Sequence, residues 1–112
     1  MTERQPRVCV VGDVLADTDI RGRCDRISPE APVPVVDEQH VVHRAGGAGL
    51  AATVAARAGA SVTLVAALAD DPSADRLRGL LATESIRVLA LPWVGRTIEK
   101  IRIGAGGVPL LR

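Results

Sequence analysis

Two aspartates follow the first apolar segment of this 112-residue chain, where a carboxylate could bind the hydroxyl groups of a ligand. The apolar run Val8–Val11 is typical of a strand buried on both faces of a parallel sheet, and Asp13 and Asp17 come after it. Ligands of open α/β sheets bind at the carboxyl ends of the strands. A carboxylate there can accept hydrogen bonds from two hydroxyl groups at once. An aspartate after a glycine can also simply cap a turn, so the residues alone leave both roles open.

A pair of glycines, Gly46 and Gly47, precedes a predicted helix. The helix is expected over Ala48–Ala58, because its apolar residues recur at a spacing of four and Gly59 follows it. Unpaired N–H groups at the start of a helix can hold a hydroxyl group or a phosphate. Close packing of two backbone segments would require glycines equally well.

Two cationic residues, Lys100 and Arg102, occur two positions apart in a later segment. The pattern of Thr97–Ile103 places Lys100 and Arg102 on one side of a predicted strand. Together they could neutralise the phosphate of a ligand, although a solvated sheet edge would carry the same residues. The glycine-rich Gly104–Gly107 is predicted to be the turn of a hairpin that returns through Val108–Leu111.

The predicted elements alternate as strand, helix, strand, helix and strand, which favours a right-handed parallel βαβαβ core of the α/β class. The second helix is expected to begin at Asp71-Pro72, with the aspartate as its N-cap, and to bury three leucines. Further extended segments would form a small separate sheet. The core strands are predicted at Val8–Val11, Val62–Ala66 and Val88–Leu91, the extended segments at Thr18–Gly22, Val33–Val36 and Gln39–His43, and the buried leucines are Leu77, Leu80 and Leu81.

A specific string, RISPEAPVPVV at residues 26–36, carries a family resemblance together with Gly12–Asp17 and the Gly46-Gly47-Ala48 turn. With these motifs the chain resembles the ribokinase-like (PfkB) carbohydrate kinases, and among them the heptose-7-phosphate kinase domains of bifunctional ADP-heptose synthases. The resemblance runs from about Val8 to Arg112 and covers the N-terminal part of the family's domain. It implies a partial ribokinase-like fold, with a core at about residues 7–17 and 46–92 and a β-lid at about 18–45 and 96–112.

The resemblance also implies a reaction, the ATP-dependent phosphorylation of a sugar phosphate such as D-glycero-D-manno-heptose 7-phosphate. By position, Asp17 matches the family's substrate-binding aspartate, and we expect Gly46, Gly47 and Lys100 to contact the substrate as well. Asp13 is expected to have a structural role. ATP and Mg²⁺ are expected for the complete family domain, but no cofactor and no metal are expected to be bound by this chain alone.

The resemblance places the family's catalytic base, the aspartate of a Gly-x-Gly-Asp turn, and its nucleotide–Mg²⁺ site in the C-terminal half of the domain. No aspartate follows Gly106 here, and Gly104–Gly107 is predicted to be a hairpin turn, so no catalytic residue is predicted. Two residues also depart from the family pattern. Leu50 stands where relatives have an asparagine that reaches the sugar, and Ala69 stands where glycine is usual. We therefore expect this chain to be inactive by itself, with sugar-phosphate binding weak or lost. The alternative is a non-catalytic interaction module that forms a homodimer through the lid.

Composition excludes other classes of function. The net charge is +1 and the only aromatic residue is one tryptophan, so neither a basic surface nor a base-stacking platform for nucleic acid is expected. No apolar run approaches the roughly 20 residues of a membrane span, and Met1–Arg7 is too polar for a signal peptide. Cys9 and Cys24 do not suggest a disulfide framework, which predicts a cytoplasmic protein.

Overall fold

The computed structural model describes residues 4–112, so the first three residues of Met1–Arg7 lie outside the described part. The chain forms two compact units. The core unit comprises the chain up to Ala16 together with Arg44–Glu99, and the lid unit comprises Asp17–His43 and Lys100–Arg112. The elements are β1 (Arg7–Val11), β2 (Val14–Ile27), β3 (Pro34–Gly47), α1 (Ala48–Arg57), β4 (Ser61–Leu68), α2 (Pro72–Thr83), β5 (Arg87–Pro92), β6 (Glu99–Ala105) and β7 (Val108–Leu111).

The core unit contains a parallel three-stranded sheet in the order β1-β4-β5, which confirms the predicted α/β class and βαβαβ order. β4 is central, and its side chains alternate between buried and half-buried. Its buried side chains pack with Ala52 of α1 and with Leu77 and Leu81 of α2, so both helices cover the same face of the sheet. Leu80 was also predicted to be buried on this helix, and its side chain is half-buried.

The opposite face of this sheet is open in the described part of the chain. Cys9 is exposed, and Val11, Leu89 and Leu91 expose 72%, 52% and 51% of their surface. The prediction that Val8–Val11 is buried on both faces is therefore wrong. The apolar run is continuous, but β1 is an edge strand and only Val8 and Val10 pack against the helix-covered core.

Local sequence signals explain where the helices begin and end. α1 starts directly after Gly47, and the chain leaves it through Gly59, which has a φ of 104°. Asp71 caps α2, because its side chain accepts a hydrogen bond from the N–H of Ala74 at 2.8 Å, and Pro72 occupies the first turn. Both predicted helix starts are confirmed.

The lid unit is built around a four-stranded sheet in the order β3-β2-β6-β7. β2 spans 14 residues and is much longer than the predicted Thr18–Gly22, because it pairs with the equally long β3. Gly22 permits this pairing, since a Cβ at this position would lie 2.1 Å from the carbonyl oxygen of Asp37. The proline-rich residues 28–33 form the connection between these strands, where the N–H of Ser28 donates to the carbonyl of Val33.

The predicted hairpin at the end of the chain is confirmed. β6 and β7 pair antiparallel, with Ala105 opposite Val108 and an irregularity between Ile103 and Gly104. Gly106 and Gly107 form the turn with φ values of 57° and 78°, which an L side chain rarely adopts. No helix within residues 4–112 is long and apolar enough to cross a membrane.

Candidate functional site

The Asp17 carboxylate is the most unusual polar group among the predicted site residues. Asp17 lies on β2, and its Oδ1 atom is buried without a hydrogen-bond partner in the described chain. Burying a polar oxygen without a partner is unfavourable, and such groups are rare in folded proteins. A ligand hydroxyl that donates to Oδ1 would remove this cost.

The two predicted glycines lie at the junction of β3 and α1, in the core unit. Gly46 is buried, and Gly47 is the N-cap of α1 with a φ of 58°. A Cβ on Gly47 would lie 2.5 Å from the carbonyl oxygen of Asp13, so this close approach requires glycine. The same carbonyl accepts a hydrogen bond from the N–H of Ala48 at 2.8 Å. Asp13 thus contributes to the structure through its backbone.

Close packing therefore explains Gly47 without any ligand, which was one of the two alternatives that the residues left open. Side chains do not use the N–H groups at the start of α1 in the described part of the chain. Within residues 4–112 no side chain caps the helix, and its first turn contains no acidic residue. The first N–H groups of a helix have no partners within the helix, so this end could still receive an electron-rich ligand atom.

Lys100 lies on β6, the neighbour of β2 in the lid sheet, and its side chain is half-buried. Within residues 4–112 its ammonium group forms no salt bridge. Arg102 lies two residues further along the same strand and is exposed. Lys100 and Arg102 thus lie two residues apart on β6, and that both face one side of the strand stays a prediction.

A small cavity of about 50 Å³ lies in the core unit near the carboxyl ends of β1 and β4, and its lining includes Asp13, Ala69, Trp93 and Thr97. Two hydrogen bonds order this region. The indole N–H of Trp93 donates to the carbonyl of Arg96 at 3.0 Å, and the hydroxyl of Thr97 donates to Asp71 at 2.6 Å. The sequence carried no signal for Trp93 or Thr97, because both contacts depend on how residues 93–97 fold back.

The Asp71 carboxylate is acidified by its neighbours. Hydrogen bonds from the Thr97 side chain, the Thr97 N–H and the Ala74 N–H lower the pKa of Asp71 below its usual value. Sequence reasoning identified Asp71 only as a helix cap. In the structure it also fixes the segment that leads into β6.

The two residues that depart from the family pattern lie in different environments. Leu50, in the first turn of α1, exposes 53% of its surface. Ala69, just after β4, is buried in the core unit. Alanine at position 69 is therefore accommodated by packing, whereas Leu50 leaves an apolar side chain in solvent beside the Gly47 turn.

Comparison with known proteins gives consistent matches along nearly the whole chain. Residues 5–103 match the family described as pfkB family carbohydrate kinase. The bifunctional protein HldE of Streptomyces coelicolor is 48% identical over 111 residues, which is 99% of this chain and 24% of that protein. The protein of the same name from Caulobacter vibrioides is 39% identical over 107 residues, covering 94% of this chain and 22% of its own length. The chain thus spans about a quarter of the length of these curated relatives.

Solved structures show the same fold. A carbohydrate kinase from Agrobacterium tumefaciens superposes with a TM-score of 0.76 at 18% identity, covering 96% of this chain and 34% of that one. Phosphofructokinase-2 from Escherichia coli, in complex with fructose-6-phosphate, gives a TM-score of 0.72 at 18% identity, with 96% of this chain and 36% of that one covered. The predicted partial ribokinase-like fold is therefore confirmed.

Proposed function

The chain belongs to the pfkB family of carbohydrate kinases, and on this premise we propose that it provides the N-terminal, sugar-binding and lid part of such a kinase. The family reaction is the transfer of a phosphoryl group from ATP to a sugar hydroxyl. We propose a sugar phosphate as the substrate, specifically D-glycero-D-manno-heptose 7-phosphate, because the 26–36 segment resembles the heptose-7-phosphate kinase domains.

The observation that supports this proposal most strongly is the buried, unpaired Oδ1 of Asp17. A carboxylate can accept two sugar hydroxyls by charge-assisted hydrogen bonds and so fix the orientation of the sugar ring. The N–H groups that follow Ala48 at the start of α1 would supply donors, since the N–H of Ala48 itself donates to Asp13. Lys100, with no salt bridge in the described chain, would contribute a positive charge towards the substrate phosphate.

The transfer step itself is not assigned to residues of this chain. Phosphoryl transfer requires a positioned base, donors for the transferring charge and a nucleotide with Mg²⁺. Residues 4–112 contain no cluster of three acidic, histidine or cysteine side chains that could hold a metal ion by themselves. The Gly104–Gly107 segment joins two strands of a hairpin and opens no helix. We therefore propose that the 112-residue polypeptide, tested alone, binds sugar without phosphorylating it.

Calorimetric titration with heptose 7-phosphate tests the proposal. The chain should bind the sugar phosphate weakly, because Leu50 supplies no polar group, and Asp17→Ala should weaken this binding at least tenfold through the loss of charge-assisted hydrogen bonds. Asp25→Ala is the matched control. Asp25 is an exposed aspartate on the same strand, and its carboxylate forms a salt bridge of 3.1 Å with Arg23. Equal affinities of the two variants would contradict the role of Asp17.

A second candidate function is a non-catalytic module that forms a homodimer through the lid. The supporting observation is the exposure of apolar side chains in the lid unit, including Val33, Val41, Val42 and Leu111. β3 is also an edge strand of the lid sheet, and edge strands pair readily with other chains. A cytoplasmic location and the expected lack of contact with nucleic acid and membranes stay predictions.

A further inference from the structure

A cavity of about 620 Å³ lies entirely within the lid unit, on three neighbouring strands. Asp19 and Arg21 reach it from β2, and Arg102 reaches it from β6. The hairpin turn, Arg112 and several apolar residues of β2 and β7 also line it. None of the four predicted sugar contacts, Asp17, Gly46, Gly47 and Lys100, lines this cavity.

The charge in the cavity is unbalanced. Three arginines line the cavity with one aspartate, and in the 112-residue chain Arg112 also carries the terminal carboxylate, which leaves an excess of one positive charge. Asp19 lies 3.8 Å from the Nη2 atom of Arg21 and its side chain is only 13% exposed, whereas the Arg21 side chain is 66% exposed. The Arg21 guanidinium therefore stays accessible although it is paired with Asp19. Guanidinium groups present several donors in a plane and bind phosphate oxygens in pairs.

The glycine-rich hairpin turn forms part of the remaining wall, beside the apolar residues Ile20, Ala105, Val108 and Pro109. Gly104, Gly106 and Gly107 carry no side chains, and a Cβ on either turn glycine would meet no atom within 4 Å. A ligand can therefore approach the hairpin backbone directly, which is a common role of glycine at anion sites. The sequence predicted this segment only as a turn, because it does not show that Arg21 and Arg112 lie around it.

We propose that this cavity binds the phosphate group of a small phosphorylated metabolite, at a site separate from the proposed sugar contacts. A phosphate monoester carries close to two negative charges at neutral pH, so it is attracted to the three arginines and to the net positive charge of the cavity. The cavity volume falls within the range of small-molecule sites, so there is room for the organic part of the ligand beside the phosphate.

The test is calorimetric titration of the 112-residue chain with glycerol 3-phosphate, a monoester without a sugar ring. Glycerol is the uncharged control ligand. Arg21→Gln and Arg102→Gln should each weaken binding of glycerol 3-phosphate about tenfold, because each removes a charge-assisted contact. Arg23→Gln is the control variant: Arg23 lies on the same strand as Arg21, pairs with Asp25 and does not line the cavity. Melting curves establish that each variant is folded.

The titrations distinguish a specific phosphate site from a general attraction of anions to surface arginines. Saturable binding that is lost in Arg21→Gln and Arg102→Gln but retained in Arg23→Gln and Asp17→Ala supports the proposal, even if heptose 7-phosphate does not bind. Parallel titrations with heptose 7-phosphate and ATP distinguish a sugar phosphate from a nucleotide as the source of the phosphate. The proposal is overturned if glycerol 3-phosphate shows no saturable binding at millimolar concentration, or if Arg23→Gln weakens binding as much as the cavity variants do.

Discussion

The side chain of Asp71 holds Thr97 through both of its carboxylate oxygens. Oδ2 accepts the backbone N–H of Thr97 at 2.8 Å, and Oδ1 accepts its hydroxyl at 2.6 Å. Oδ1 also accepts the N–H of Ala74, which caps α2. A second contact, from the Ser73 hydroxyl to the Glu99 carboxylate, joins the same two segments. One helix start therefore fixes the path of the chain into β6.

This arrangement predicts a specific loss of stability in acid. The hydrogen bonds lower the pKa of Asp71 in the folded chain. Its contribution to stability is therefore complete above the pKa of an unfolded aspartate, about 4, and is lost as the pH falls through the lower folded value. Asp71→Asn should melt about 5 °C lower at neutral pH, because an amide cannot accept all three bonds. Its melting temperature should also fall less steeply in acid than that of the unmodified chain.

Thermal melts followed by circular dichroism from neutral pH into acid check this prediction. Asp70→Asn is the control, because Asp70 is the neighbouring exposed aspartate and makes none of these hydrogen bonds. The assignment to Asp71 is wrong if Asp71→Asn and the unmodified chain lose stability in parallel as the pH falls.

The two helices end in the same backbone geometry but with different residues. The N–H of Ala60 donates to the carbonyl of Ala55 after α1, and the N–H of Ile86 donates to the carbonyl of Leu81 after α2, each at 3.1 Å. The residue before each donor has a positive φ, and it is Gly59 after α1 but Ser85, with a φ of 58°, after α2. An L side chain is strained in this region.

We expect Ser85→Gly to raise the free energy of unfolding by about 1 kcal/mol, and Gly59→Ser to lower it by a similar amount. The melting temperature should move by about 5 °C in opposite directions. Denaturant or thermal unfolding of both variants provides the measurement. If Ser85→Gly unfolds more easily than the unmodified chain, the Ser85 side chain stabilises the fold by more than its positive φ costs.

Asp17 offers a test that separates a binding role from a structural one. A buried carboxylate oxygen without a partner costs roughly 1–3 kcal/mol. Asp17→Ala should therefore leave the ligand-free chain as stable as before, or more stable by about 1 kcal/mol, while sugar binding is lost. The exposed control Asp25→Ala should change stability by less than about 0.5 kcal/mol. A marked drop in the melting temperature of Asp17→Ala alone would indicate a structural role.

Local signals were sufficient for much of this fold, and long-range pairing was not visible in the sequence. The Asp71-Pro72 step and the Gly46-Gly47 pair locate both helix starts correctly, because capping depends on residues three or four apart. The length of β2 and the presence of Arg21 and Arg102 in one cavity depend on strand pairing and register, which no short motif encodes. The exposure of Val11 depends on what covers its face of the sheet, and an apolar run does not reveal that.

The proposed self-association through the lid can be separated from association through the open sheet face of the core unit. Val42 is exposed on β3, the edge strand of the lid sheet, whereas Leu89 is exposed on the open face. A charge at an edge strand disfavours pairing with another chain. We therefore expect the unmodified chain to sediment as a dimer, Val42→Lys as a monomer and Leu89→Lys as a dimer. The reverse result would move the interface to the sheet face, and a monomer at all concentrations would contradict self-association.

The last prediction concerns Leu50, which distinguishes a sugar site from an interaction module. Leu50 exposes 53% of its surface in the first turn of α1, so it contributes little to the core. If the start of α1 binds sugar, Leu50→Asn supplies a polar partner that the relatives have, and heptose 7-phosphate should bind about tenfold more tightly. If the chain is an interaction module, neither protein binds the sugar. Because the side chain is exposed, stability should change by only about 0.5 kcal/mol in either case. Melting curves run beside the titrations check this point, so that a change in affinity cannot be attributed to unfolding.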